Sequence, residues 1–201
     1  MFILKTKVFV KIFNKLSPLP EGELRTKIEA LASQVGFQVK AISIMDASKR
    51  TTKLNAFFSG LGKTREVVLF DTLVEKLSED EILSVLAHEL GHAMHKDAPK
   101  MIAQRAVIFG VYALALALIM QSASLATAFG LSGIHLGFGL ILFSILIEPL
   151  DFVLGIPLSF LSRKAEYAAD AFSAKYVDKK HMISALHVLI KENFSNLNPH
   201  P

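Results

Sequence analysis

His88-Glu89-Leu90-Gly91-His92 spells HExxH, a spacing that builds a metal centre on one helix. Imidazoles four residues apart share a helix face and can bind one zinc ion, and the glutamate between them flanks the open coordination position, where it can take a proton from water. At this composition the pattern would arise by chance in about 0.01 of such chains. There is no cysteine, so any further ligand must be His, Asp or Glu. Two candidates stand out. His95 lies seven residues past His88, about 10.5 Å along a helix axis, too far for a straight helix to wrap one ion with His88 and His92 as well. Glu166 is the stronger candidate. It opens Glu166-Tyr167-Ala168-Ala169-Asp170, where two acids four apart share a face, so Glu166 can ligate while Asp170 accepts the outer N–H of a ligand histidine, with His88 the expected donor.

These residues need elements to hold them. Ser78-Glu79-Asp80-Glu81 is a capping box, predicting a helix that turns Ile82, Val85, Leu86 and Leu90 inward and carries the HExxH mid-way. Upstream, Leu24, Ile28, Leu31 and Val35 mark one face of a helix that ends at Gly36. Branched residues predict strands over Gln38 to Met45, Leu54 to Ser59 and Glu66 to Phe70, with Asp46 to Lys53 as a polar loop and Gly60 and Gly62 as a turn.

Between the HExxH and Glu166 lie 42 consecutive positions, 106 to 147, without Asp, Glu, Lys or Arg, where about eight would be expected at 20% charge. One helix of that length would run about 63 Å, twice a bilayer's hydrocarbon thickness, so two spans joined within Gln121 to Leu136 fit better. Gly133 and Gly137 offer a weak GxxxG packing hint. Lys96, Lys100 and Arg105 precede this hairpin, Arg163 and Lys164 follow it, and the turn has neither Lys nor Arg, which predicts both ends on the cytoplasmic side. Glu148 and Asp151, three apart, either face a protein interior or wet cavity within the second span or lie at the interface just beyond it. Without residues 106 to 160, the 74 positions from His92 to Glu166 shrink to 19, a helix–loop–helix connection. The hairpin therefore reads as a membrane insert between two metal-binding helices, with the metal near the bilayer surface.

Residues 1 to 16 place Val8, Phe9, Ile12, Phe13 and Leu16 at helical spacing among lysines, which predicts a basic amphipathic juxtamembrane helix. The formal charge is only +4, and no basic stripe interleaved with aromatics suggests nucleic acid as a partner. Absent cysteine excludes disulfides, thiolate sites, a cysteine nucleophile and attached prenyl or palmitoyl groups. The chain is expected to be an α+β protein: a mainly helical zincin-like metalloprotease core with a small β-sheet and an inserted transmembrane helical hairpin. The expected divisions are residues 1–19, the juxtamembrane segment; 20–100, the core with sheet and HExxH helix; 101–160, the hairpin; and 161–201, the third-ligand and C-terminal helices.

The run LSEDEILSVLAHELGH from Leu77 to His92, with Asn55-Ala56-Phe57, the strand ending Val68-Leu69-Phe70-Asp71, and Ser162-Arg163 ahead of Glu166 to Asp170, resembles the type I CAAX prenyl proteases. These are multi-span zinc metalloproteases that remove the C-terminal tripeptide of prenylated proteins. The resemblance runs from about Leu16 to Asn198. It implies His88, His92 and Glu166 as zinc ligands, one Zn²⁺ per chain, Glu89 as general base, and Asn55 on a strand edge that receives a peptide by strand addition. It also implies a peptide or protein C-terminus, prenylated or not, and a lipid bilayer as partners. The expected location is the cytoplasmic membrane of a bacterium or the endoplasmic reticulum membrane of a eukaryote, active site toward the cytoplasm. Family members carry further spans upstream and a Ser-His-Pro segment downstream, so the sequence reads as a catalytic core cut from a larger enzyme. Two alternatives are a heat-shock-type quality-control metalloprotease, whose spans usually precede the HExxH, and a non-catalytic zinc module, which would not need Glu89.

Overall fold

The local signals read from the sequence become elements in the computed structural model, which describes residues 15–59 and 64–193. Strand β1 is Leu16–Pro18, helix α1 Glu23–Gln34, and strand β2 Gln38–Met45. Strand β3 is Ala56–Ser59, strand β4 Thr64–Phe70, and helix α2 Asp71–Lys76. The HExxH helix α3 is Glu79–Met94, and helices α4 (Asp97–Gln121), α5 (Ala123–Ala128), α6 (Leu136–Tyr176) and α7 (Lys179–Glu192) follow. The chain is thus α+β, mainly helical with a small sheet. The juxtamembrane helix and the Gly60–Gly62 turn lie outside the described residues, except that Leu16 opens β1 rather than closing a helix.

α1 ends as its sequence predicts, with Gly36 in the left-handed region at φ +80°, where a side chain would be strained. The sheet order is β1-β2-β4-β3. β2 and β4 run parallel in the middle, and the outer strands are antiparallel to their neighbours. β1 was not legible in the sequence, since three residues carry no period, and α2 was missed for its brevity. The second expected strand is shorter than Leu54 to Ser59, because Leu54 and Asn55 still belong to the incoming loop. Their backbone groups are nonetheless engaged: Leu54 N–H donates to the Asn193 side chain at 2.9 Å, and Asn55 C=O accepts from Phe70 N–H at 3.1 Å.

The apolar faces of α1, β4, α2 and α3 meet in one core in which Ile28, Val67, Leu69, Leu73, Ile82, Leu86 and Leu90 are buried, and α7 adds Ala185. Side chains of this kind each contribute roughly 1.5–3 kcal/mol when fully buried. α3 begins with the anticipated capping box, Ser78 accepting from Glu81 N–H while the Glu81 carboxylate accepts from Ser78 N–H. The same carboxylate accepts from Ser184 Oγ on α7, so one glutamate both caps α3 and anchors the helix packed beside it.

By its internal contacts the chain forms two units, Met1–His95 with Glu166–Pro201, and Lys96–Ala165. In the second, α4 and α6 are each long and apolar enough to cross a membrane. α6 continues through Pro149 and Pro157 without a break, so the helix does not stop at Ile147. Glu148 and Asp151 are exposed on it, and the Tyr112 hydroxyl of α4 donates to Asp151. The GxxxG hint was misplaced: the missing side chains of Gly133 and Gly137 face open space, whereas Gly139 leaves room for Met120.

The hydrogen bond from Ser184, with those from Ser78, holds the Glu81 carboxyl below the usual range despite partial burial. A depressed carboxyl stabilises the fold fully above its unfolded pKa of about 4.3, and that contribution is lost as pH falls through the lower folded value. Glu81→Gln keeps an amide oxygen for Ser78 N–H but loses the charge, so it should cost less than about 1 kcal/mol near pH 7, and progressively less toward pH 3. Thermal melts of both proteins across that range measure it. A difference that stays constant with pH would show that the charge of Glu81 is irrelevant.

Candidate metal centre

α3 presents three faces, and two of them are buried. Ile82, Leu86 and Leu90 enter the core, while Ser84, Ala87 and Gly91, all buried, turn toward α6 beside the histidine face. The two helices approach closely here. A Cβ placed on Gly91 would lie 2.9 Å from Ala169 Cα and 3.2 Å from Ala169 O, so only glycine permits this spacing. Ala169 is fully buried, and one turn further on Ser173 Oγ donates to Ser84 C=O at 3.0 Å. The pairs Gly91–Ala169, His88–Asp170 and Ser84–Ser173 share an antiparallel register.

That register delivers the chemistry. His88 Nε2 and His92 Nε2 are 3.1 Å apart, and Glu166 Oε2 is 3.4 Å from the first and 3.5 Å from the second. Zinc bonds of about 2.0–2.1 Å at tetrahedral angles require donors about 3.3–3.4 Å apart, so all three separations suit one ion. Asp170 Oδ1 lies 2.8 Å from His88 Nδ1, the contact that fixes which nitrogen of His88 is free to ligate. The Glu166 side chain is 56% exposed, so the trio is reachable from solvent. Burial pushes the Glu89 carboxyl up from its ordinary pKa, opposed by the two imidazoles and reinforced by Glu166.

His95 stays out of the trio. It caps the end of α3 before Lys96 turns to φ 56°, its ring meets Phe172 edge-on, and its Nδ1 is buried without a hydrogen-bond partner among the described residues. Asn55 is exposed one residue before β3, and its side chain accepts the Ala56 N–H at 2.9 Å. β3 is an edge of the sheet and packs beside α3. Because Asn55 pairs inward with Phe70, alternation turns the backbone groups of Ala56 and Phe58 toward the open edge. A polar cavity of about 430 Å³, lined in part by Ser48, Arg50, Lys53 and Glu192, shares no residue with the trio. Sequence reasoning missed Gly91, Ser84 and Ser173. A glycine inside a well-capped helix, neither at its end nor in a turn, was the available signal.

Residues 18–201 match the profile of peptidase family M48, and the chain belongs to that family. It is 38% identical over 195 residues to the CAAX prenyl protease 1 homolog of Arabidopsis thaliana, covering 94% of this chain and 45% of that protein. It is 36% identical over 207 residues to CAAX prenyl protease 1 of Saccharomyces cerevisiae, covering 94% and 46%. The crystal structure of S. mikatae Ste24p superposes with a TM-score of 0.83 at 34% identity, over 99% of this chain and 50% of that one. The chain spans about half the length of the curated relatives it matches.

Gly91→Ala tests the close approach. An exposed helical glycine gains about 1 kcal/mol on becoming alanine, but here the added methyl meets backbone and must push α6 away. Zinc affinity should fall at least about tenfold, and Ala169→Gly should not restore it, because the clash is with main chain. Undiminished affinity in a zinc titration of Gly91→Ala would show that the two helices can part without cost to the trio.

Proposed function

We propose that this chain carries the catalytic centre of a membrane-embedded zinc metalloendopeptidase of CAAX prenyl protease type. The observation that carries the reading is the trio of His88, His92 and Glu166 at the edge lengths of a tetrahedral site, with Glu89 on the same helix. Nitrogen and carboxylate donors in this number suit zinc and leave a position open for chemistry. His88, His92 and Glu166 hold the ion, which when bound supplies a Lewis acid that polarises a carbonyl and acidifies water.

The remaining work belongs to the protein. Glu89 accepts a proton from the attacking water on its carboxylate and returns it to the leaving amine as the peptide bond breaks. A carboxyl raised by burial is the stronger base toward water, and the proton it takes can still pass to the more basic leaving amine. Asp170 takes the Nδ1–H of His88 and keeps Nε2 directed at the ion. The open edge of β3, with Asn55 at its head, binds the substrate main chain as an added strand. The relatives named as CAAX prenyl proteases support a prenylated protein C-terminus as substrate. α4 and the apolar part of α6 form the hairpin that spans the membrane, of the cytoplasmic membrane or the endoplasmic reticulum, with the basic residues at its two ends on the cytoplasmic side.

Metal analysis should find one zinc per chain, lost on alanine substitution of His88, His92 or Glu166, and weakened about 10–100-fold by Asp170→Ala. Glu89→Gln should keep zinc and lose about 10²–10⁴-fold in hydrolysis of a farnesylated CAAX peptide. Full activity in Glu89→Gln would refute the assignment of the base, and zinc retained by Glu166→Ala but not by His95→Ala would move the third ligand. Topology is read separately: Ser132→Cys in this cysteine-free chain should react with an impermeant thiol reagent from the non-cytoplasmic face only.

A further inference from the structure

We propose that Asp71 is a positioning residue that sets the peptide-binding edge strand through the 46–55 loop. The inference rests on the peptidase reading above and concerns how its substrate strand is held.

Three consecutive residues at the β4–α2 junction each grip a different part of that loop. Phe70 N–H donates to Asn55 C=O at 3.1 Å, at the loop's end. Thr72 Oγ1 donates to Lys53 C=O at 3.0 Å, two residues earlier. Asp71 holds the loop's start: Oδ1 accepts from Ala47 N–H and Ser48 N–H, both at 3.0 Å, and Oδ2 accepts from Ser48 Oγ at 2.6 Å. Its own helix adds Thr72 N–H to Oδ1 at 2.8 Å. Burial alone would raise this carboxyl, yet the donors outweigh it and leave Asp71 below the ordinary range.

The location matters as much as the number of bonds. β3 is a four-residue edge strand bonded to β4 on one side only, and the loop entering it is held by this junction and, at Leu54, by Asn193. Hydrogen bonds to an ionised acceptor are about twice as strong as neutral ones, and one carboxylate here collects several. β3 lies beside α3, so a shift of the loop would move the peptide-binding edge relative to Glu89 while the histidines stay on their own helix. A residue that acts this way should change peptide binding and leave the metal untouched.

The experiment measures peptide affinity in the zinc-loaded chain carrying Glu89→Gln, which cannot turn the peptide over, by anisotropy of a fluorescent farnesylated CAAX peptide. Asp71→Ala should weaken binding about tenfold, with Ser48→Ala losing less and Asp71→Asn, which keeps an acceptor oxygen, lying between. Zinc content should stay at the parent's level in all three. With Glu89 restored, Ser48→Ala should raise KM and leave kcat within about twofold. Unchanged peptide affinity in Asp71→Ala with zinc retained would overturn the inference, as would a parallel loss of zinc and peptide in Ser48→Ala, the sign of a merely structural part. A parent that binds no peptide would overturn it too. Peptide bound normally but never hydrolysed when Glu89 is present would instead sink the peptidase reading and leave the clamp standing.

Discussion

The site depends on the distance between two helix backbones. Glu166 comes within 3.5 Å of both histidine nitrogens because α6 passes α3 at a point where Gly91 offers no side chain and Ala169 very little. Larger residues at this crossing would hold the two backbones further apart and draw the Glu166 carboxylate away from the imidazoles. Ser84 and Ser173 extend the same small-residue seam, and their hydrogen bond fixes its register where no metal is involved. The seam thus brings the trio together from the protein side, which limits the ordering a metal would have to impose.

The rest of the core serves that crossing. α3 is fixed by its capping box at one end, by Ile82, Leu86 and Leu90 against the sheet, and by Glu81 reaching Ser184 on α7. Its polar functional face is what remains after two faces have been committed to packing. Rigid placement of the two imidazoles on one helix, with the Glu166 carboxylate on another, keeps the geometry of the trio independent of loops. The loop that is used, 46–55, is tied down at Asp71, Thr72 and Asn193, so it also behaves as part of the scaffold.

The hairpin obeys different rules. Its helices expose Phe109, Leu118, Ile145 and Phe152, side chains that would be a liability in water and are suited to lipid. Within it the Tyr112–Asp151 bond partners one of the two acids in the apolar stretch, and Gly139 makes room for Met120. Prolines at 149 and 157 sit inside α6 without ending it.

Much of this was written locally in the sequence. The capping box, the 3.6-residue period of α1 and α3, the branched residues of β2 and the uncharged run of the hairpin are all set by neighbours within a few positions. So is the HExxH, since two histidines four apart need only a helix to share a face. That Glu166 joins His88 and His92, and that Asp170 meets His88, was expected from their spacing and from the resemblance; the close approach of the two backbones that realises those distances was not. That approach joins positions 74 or more apart, and it is decided by which residues lie between two backbones. The same holds for β1, which is a strand only because β2 offers it an edge, and for Asp71, whose hydrogen bonds reach loop residues 23 and 24 positions away. Periodicity and capping are properties of a segment; close approach and ladder pairing are properties of two segments, and only the folded chain states which two.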